Sequence, residues 1–527
     1  MEAHRAADPD RKAVHSHHER LAQEPDRVVE ADGVVGRFRP GTDCREVVEI
    51  DSRAEGATRS GQNDRPHTRI VISRPQSISG SVRQLGAQRV ELLRPVEGQH
   101  PHRAKVADVH ARTVGAFNSG VTFAYAREMA ELPFLAFDAD NHYYEAEDAF
   151  IRHIDPRMKK RCMQWAEIDG KRRFLVGGKV NKFIPNPTFD PIAAPGSLED
   201  YFRGKNEAGD MDLGKMFGEL TPISEHRGYR NREARLELMD SQGLETVLLF
   251  PTKGVGMQEA LKRDIPALHA AFTAFNSWLD EDWGFDRGDG RVYAAPFLTL
   301  ADPELAVAEL DRVLAMGARI VVTVPGPVPT EHGYQSPGMP DYDPIWARLQ
   351  EAGVPYAIHA GLGGTSQYGK IWEPPSGQFE GFKHSPFPVV AFADRTIADT
   401  LAAMICHGVL DRFPDLRLAT IENGAMWVPD LLRNLQAGYG KMPFGFDRHP
   451  VEAFKENVWV SPFFEDDMDV LKDTIGIERL LFGSDFPHAE GLPTPTDYVK
   501  DIANFTEAET RQVMRDNAYE LLASSAR

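Results

Sequence analysis

Four short, β-prone runs in this sequence end on residues that can bind a cation or move a proton. Phe137-Asp-Ala-Asp-Asn-His142 ends on Asp140 and His142, and Val354-Pro-Tyr-Ala-Ile-His-Ala-Gly361 carries His359 just before a Gly-Leu-Gly-Gly break. Thr420-Ile-Glu422 and Leu481-Phe-Gly-Ser-Asp485 end on acids. Asp140 and His142 are two residues apart, which puts both side chains on one face of a strand. Carboxylate oxygen and neutral imidazole suit zinc, and also manganese or iron. Each residue alone has a plainer reading: Asp140 and His142 cap a loop, His359 is an ordinary buried histidine, and Asp485 is a turn or cap residue. Burying all of them without partners costs on the order of several kcal/mol. A shared divalent cation removes that cost.

Such residues need a scaffold that brings strand ends together. From about residue 129 the sequence alternates apolar strands with amphipathic helices, the pattern of parallel βα units. Strands are expected at 134–140, 246–250, 292–298, 319–324, 355–359, 417–421, 457–461 and 479–482. Helices are expected at 231–241, 265–280, 302–316, 344–351, 391–410, 496–504 and 507–523, with Asp302-Pro-Glu as one helix start and Gly353 after another. This order fits a (β/α)8 TIM barrel, whose chemistry sits at the C-terminal ends of the strands. An open doubly wound sheet shares the alternation, but it normally has a glycine-rich phosphate loop after its first strand. Here that position reads Asp-Ala-Asp-Asn-His.

The stretch 143–229 is too long for an ordinary connection. A hairpin turning at Gly177-Gly178, followed by Pro185, Pro187, Pro191 and Pro195, reads as a lid-like insertion over the barrel mouth, with a purely structural or oligomer-forming role as the other reading. Residues 1–128 differ from everything after them. Up to residue 116 there is no Trp or Tyr, the one Phe is Phe38, and Arg outnumbers Lys 17 to 2. Such sequence cannot bury enough surface to offset its ordering entropy, so a disordered extension is expected. His15, His17 and His18 read as part of that tail rather than as ligands. The composition is also that of a coding region read upstream of its start, which puts the expected native beginning near Met129.

The chain of 527 residues has a formal net charge of −19, and 1–128 contributes +2 of it, so the remainder is acidic. That argues against nucleic acid as a partner. No apolar run is long enough to span a bilayer, and the N-terminus lacks a signal-peptide core. Cys44, Cys162 and Cys406 are scattered, which argues against a disulfide framework or a thiolate zinc site. A cytoplasmic protein acting on a small molecule is expected, and a homodimer is compatible with the sequence.

Asp-x-Asp-x-His at the first strand, a lone His ending the fifth and Gly-Ser-Asp-[aromatic]-Pro-His at the eighth resemble the amidohydrolase superfamily. The resemblance is strongest to the amidohydrolase-related branch containing aminocarboxymuconate semialdehyde decarboxylase and the resorcylate-type decarboxylases. It spans about 129–525 and includes Phe413-Pro-Asp-Leu-Arg417 and Arg515-Asp-Asn-Ala-Tyr-Glu-Leu-Leu522. It implies one divalent metal, zinc with manganese as the alternative, on Asp140, His142, His359 and Asp485, and no organic cofactor. Two positions depart from the pattern: Asp140 replaces a usual histidine, as in similar phenolic-acid decarboxylases, and Glu422-Asn-Gly-Ala replaces His-x-Gly-Gly. Glu422 is a ligand or an acid/base beside the metal. The implied chemistry is non-oxidative decarboxylation of a small carboxylated, aromatic metabolite, with Asp485 as the acid. Metal-dependent hydrolysis of a lactone, ester or amide is the second reading, and a non-catalytic metabolite-binding barrel the third. His384, in a Phe-rich loop with Trp372 nearby, reads as a pocket histidine or as part of a packed surface loop. His332 and His488 follow strand ends and read as acid/base residues or as partners that orient a ligand. His407 precedes Phe413-Pro and belongs at the opposite barrel end.

Overall fold

The structure is a computed structural model that describes residues 132–184, 186–198, 217–363, 371–373, 387, 390–391, 395–463 and 466–523. Seven parallel strands form most of a barrel: β1 (Ala136–Tyr143), β2 (Leu244–Pro251), β3 (Val292–Ala294), β4 (Val321–Thr323), β5 (Tyr356–His359), β6 (Leu418–Ile421) and β7 (Val458–Val460). β1, β2 and β3 pair in that order, and β4, β5, β6 and β7 form a second parallel ladder.

Three single bridges close the ring. Phe297, beyond β3, pairs with Val322; Leu480 pairs with Val460; and Phe486 pairs with Asn141 of β1. The segment 480–486 is therefore the eighth barrel strand, tied in by Leu481 N–H to Val460 O, Ala139 N–H to Phe482 O and Asp485 N–H to Asp140 O. It forms no regular ladder, so the strand expected at 479–482 exists as a bridging segment. The seven strands and this bridging segment make up a TIM barrel.

Helices wrap the barrel where apolar periodicity and caps place them. Asn231, Asp264 and Asp302 each accept a backbone N–H at the start of Arg232–Ser241, Ile265–Asp282 and Pro303–Ala315. Asp343–Ala352 ends at Gly353, whose φ of 61° is left-handed. Three expectations change. The long helix 391–410 is Arg395–Cys406 followed by Val409–Arg412, broken where Gly408 takes φ 74°. The helix 496–504 is a 3-10 turn, Pro495–Lys500. The last helix opens into a π turn at Gln512–Asp516, where the Val513 carbonyl accepts the Phe482 N–H of the closing strand instead of serving only its own helix. Helices Trp427–Lys441 and Pro450–Asn457, between β6 and β7, were not anticipated.

Within the insertion, Met163–Ile168, Lys171–Val176 and Lys179–Val180 form an antiparallel sheet. Its turns are Asp169-Gly170 and the anticipated Gly177-Gly178, both with positive φ at each residue, the geometry that suits strand twist. Tyr144, Phe189, Ile192, Ile223 and Tyr229 make a small apolar cluster that also contains Phe486 of the closing strand. Lys253, just after β2, is buried under the insertion; its Nζ donates to Pro187 O and lies 4.8–5.5 Å from the rings of Phe189, Phe174 and Trp165.

Candidate metal centre

All eight residues of β1, Ala-Phe-Asp-Ala-Asp-Asn-His-Tyr, are buried, so every polar group on it needs an internal partner. Asp138 provides the lower tier. Its carboxylate accepts from Asp140 N, Ser484 N, Ser484 Oγ and Asn141 Nδ2 at 2.5–3.1 Å. Burial pushes its pKa up to about 6, with the Ser484 and Asn141 hydrogen bonds pulling the other way. Fully buried Arg235 donates to Gly228 O, to Asn141 Oδ1 and to the His142 carbonyl. These bonds lock the end of β1 to the closing strand.

Above this tier five donors converge. Nε2 of His142 lies 3.3 Å from each of Asp140 Oδ1, Glu422 Oε2, Asp485 Oδ1 and His359 Nε2. Nε2 of His359 is 3.2 Å from Glu422 Oε2 and 3.7 Å from Asp140 Oδ1. The Nδ1–H of His359 donates to Ala360 O at 2.8 Å, which leaves its Nε2 bare and facing the others.

Several observations fit this set to a cation. Asp140 Oδ1 and Glu422 Oε2 are buried yet accept no hydrogen bond. Ligand bonds of 2.0–2.2 Å in a tetrahedron set neighbouring donor atoms about 3.3–3.6 Å apart, the spacing seen here. Three carboxylates and two imidazoles are hard-to-borderline donors, suited to zinc or manganese. Without an ion the cluster holds protons instead. Burial opposes charge on His142, but the adjacent carboxylates of Asp140 and Glu422, each 3.3 Å from its Nε2, outweigh it and raise its pKa to about 9. Burial likewise opposes ionisation of Asp140, yet hydrogen bonds to His142 and His359 hold its carboxyl below the usual range.

Asp485 goes the other way. Burial first, then the carboxylates of Glu422, Glu490, Asp140 and Asp138, hold its pKa well above the ordinary value. Its Oδ1 is 2.6 Å from Nδ1 of His488, whose own pKa is pushed well below normal by burial and by His142 and His359. The His488 ring stacks on His142 at 3.9 Å between centroids. A proton between Asp485 and His488 therefore rests on the acid.

The backbone is bent to achieve this. Glu422 and Asp485, at the ends of β6 and the closing strand, both take left-handed φ near 55°, which costs a non-glycine residue of order 1 kcal/mol or more. Gly483 allows the strands to close: a Cβ there would lie 2.6 Å from Asp140 Cβ and 2.5 Å from Ser461 Oγ. Above the acids is a cavity of about 170 Å³, walled among the described residues by Asp140, Glu422, Asp485, Glu490, Ser461 and Ser484 and by apolar Pro462, Phe463, Leu492 and Tyr498.

Asp140, His142, His359 and Glu422, each read from the sequence, meet in one set, and His142 and Glu422 meet Asp485 and His488 in a second, adjoining set. His332 joins neither; it is exposed at the tip of the hairpin Val328–Thr330/Gly333–Gln335. His407 bonds Ser336, away from the cluster. His384 and the tail histidines lie outside the described residues. Glu490 in the cavity wall was missed; its only sequence signal was its place five residues after Asp485.

The chain is similar to known proteins. A model of the Amidohydrolase family matches residues 168–523. The solved structure of an amidohydrolase from Mycobacterium avium subsp. paratuberculosis K-10 is 44% identical and superposes with a TM-score of 0.70 over 75% of this chain and 100% of that one. Gamma-resorcylate decarboxylase of Rhizobium radiobacter is 27% identical over 63% of this chain and 98% of its own length. Gamma-resorcylate decarboxylase of Rhodococcus jostii (strain RHA1) is also 27% identical, over 54% of this chain and 86% of its own.

Proposed function

This chain belongs to the amidohydrolase family, and from that premise we propose that it is a metal-dependent decarboxylase of a small aromatic carboxylic acid with a hydroxyl beside the carboxylate. The relatives named gamma-resorcylate decarboxylase, matched over nearly their whole length, support this reaction class. The observation that carries it is the gathering of buried carboxylates and imidazoles around Nε2 of His142, with Asp485 Oδ1 also hydrogen-bonded to Nδ1 of His488.

Asp140, His142, His359 and Asp485, with Glu422 beside them, would hold one divalent cation, zinc with manganese as the alternative. When bound, that cation supplies a Lewis acid for the substrate's carboxylate and adjacent hydroxyl oxygen. The chain's own groups do the rest. Phe463, Leu492 and Pro462 form the apolar wall against which a ring packs. The Asp485–His488 pair delivers a proton to the ring carbon that carries the carboxylate. The carbon–carbon bond to the carboxylate breaks, its electron pair stays with that ring carbon as the new C–H bond, and CO2 leaves. The insertion 143–229, clustered on Phe486 next to Asp485, would shield this proton transfer from water.

The test is a panel of ortho-hydroxybenzoates given to the zinc- or manganese-loaded chain, scoring CO2 and deuterium incorporation from D2O. A parallel lactone and ester panel scores acid release. Aromatic acid turnover with one ring deuterium per CO2, lost in His359→Ala and Asp485→Ala together with the metal, is expected. Acid release from lactones or esters with no CO2 from any aromatic acid would replace the proposal with hydrolysis.

A further inference from the structure

We propose that Thr252 is a positioning residue that fixes the tautomer of His488. The hydroxyl of Thr252 lies 2.7 Å from Tyr143 O and 2.9 Å from Nε2 of His488. A threonine hydroxyl has one proton to give, and a backbone carbonyl can only accept. If that proton were given to His488, the Thr252 and Tyr143 oxygens would face each other at 2.7 Å with no proton between them. The hydroxyl proton therefore goes to Tyr143 O, and the same oxygen accepts from Nε2–H. Nε2 carries a proton in every state of the ring.

The consequence falls on the other nitrogen. With Nε2 protonated, Nδ1 is the only ring atom that can take up or release a proton, and it faces Asp485 Oδ1 at 2.6 Å. The opposite tautomer would put a fixed N–H against Asp485 and turn the bare nitrogen towards a threonine. Thr252 is well placed for this because it immediately follows β2 and its carbonyl partner ends β1, so two barrel strands set its position. It touches neither the cavity nor the five converging donors. The importance of this tautomer for turnover rests on the decarboxylase reading, but the tautomer itself does not.

The experiment is 15N NMR of the zinc-loaded full-length protein with histidine ring nitrogens labelled, using His488→Gln to assign the signal. Thr252→Val removes the hydroxyl at similar volume, and Thr252→Ser restores it. The wild type and T252S should show His488 protonated at Nε2, whereas T252V should shift towards the Nδ1–H form with zinc content unchanged. On an accepted substrate, T252V should lower kcat by about 10–100-fold at near-constant KM, the usual size of an effect on an orienting partner, with T252S restoring it. An Nδ1–H form in the wild type, or T252V with unchanged tautomer and kcat, would overturn the proposal. If no panel substrate is turned over, the decarboxylase reading fails while the NMR result still decides the role of Thr252.

Discussion

The affinity of the site for its cation should fall steeply as pH falls, by an amount set by His142. In the empty cluster Asp140 and Glu422 hold a proton on this imidazole up to about pH 9. A protonated nitrogen cannot donate its lone pair, so the proton must leave before the cation binds. Below pH 9 each unit then weakens apparent binding about tenfold, so from pH 8 to pH 6 the loss is about 100-fold, or ~2.7 kcal/mol. Asp485, whose pKa burial and neighbouring carboxylates raise well above the ordinary value, must also be ionised to become a ligand and can only steepen this slope. Competition against a chromophoric chelator, with its own proton linkage measured separately, gives the affinity at constant ionic strength. Calorimetry in buffers of different ionisation enthalpy gives the protons released, expected between one and two at pH 7. An affinity changing less than threefold across pH 6–8, with no proton released, would refute this account of the cluster.

Other outcomes follow from the packing. Arg235→Met should destabilise the protein by about 3–5 kcal/mol in urea denaturation, because Gly228 O, Asn141 Oδ1 and His142 O would be left buried without their donor; a cost below about 1 kcal/mol would contradict that. Gly483→Ala should cost about 1–3 kcal/mol and reduce bound metal measured by mass spectrometry, since the new methyl meets Asp140 and Ser461. Chelation should lower Tm and zinc should restore it: free metal at 100 times Kd adds about 2.7 kcal/mol, which for a domain of this size is roughly 3–6 °C in a thermal melt.

The site was legible in the sequence because its residues sit where their chemistry is otherwise unexplained. An Asp, a His or a Glu ending an apolar run marks a strand end, and in a barrel the ends of strands one, five, six and eight meet. His488 was harder to weigh. Nothing in Gly-Ser-Asp-Phe-Pro-His says that the chain turns back to set the histidine against the aspartate three residues earlier, whereas His332, equally placed after a strand, is exposed. Thr252 carried no signal and Glu490 only its place five residues after Asp485, since each acts through what folding puts beside it. Among the elements, Trp427–Lys441 has Val428, Leu431, Leu432 and Leu435 on one buried face, but Pro429 near its start and Gly438 and Gly440 near its end read as breakers. Met163–Ile168 buries only its first residue, so alternation could not reveal it.

The closing strand joins its neighbours through isolated bridges rather than a ladder, so a cation held at the proposed site would act as a fastener as well as in turnover. Asp140 stands on one side of this seam and Asp485 on the other, 345 positions apart in the chain. An ion shared between them would tie the first strand to the last and complete a ring that backbone pairing leaves thin. Loading the site and closing the barrel become one event. Hydrogen exchange along 480–486 should therefore report occupancy as directly as any activity assay, slowing when the ion binds while the regular β4–β7 ladder stays unchanged.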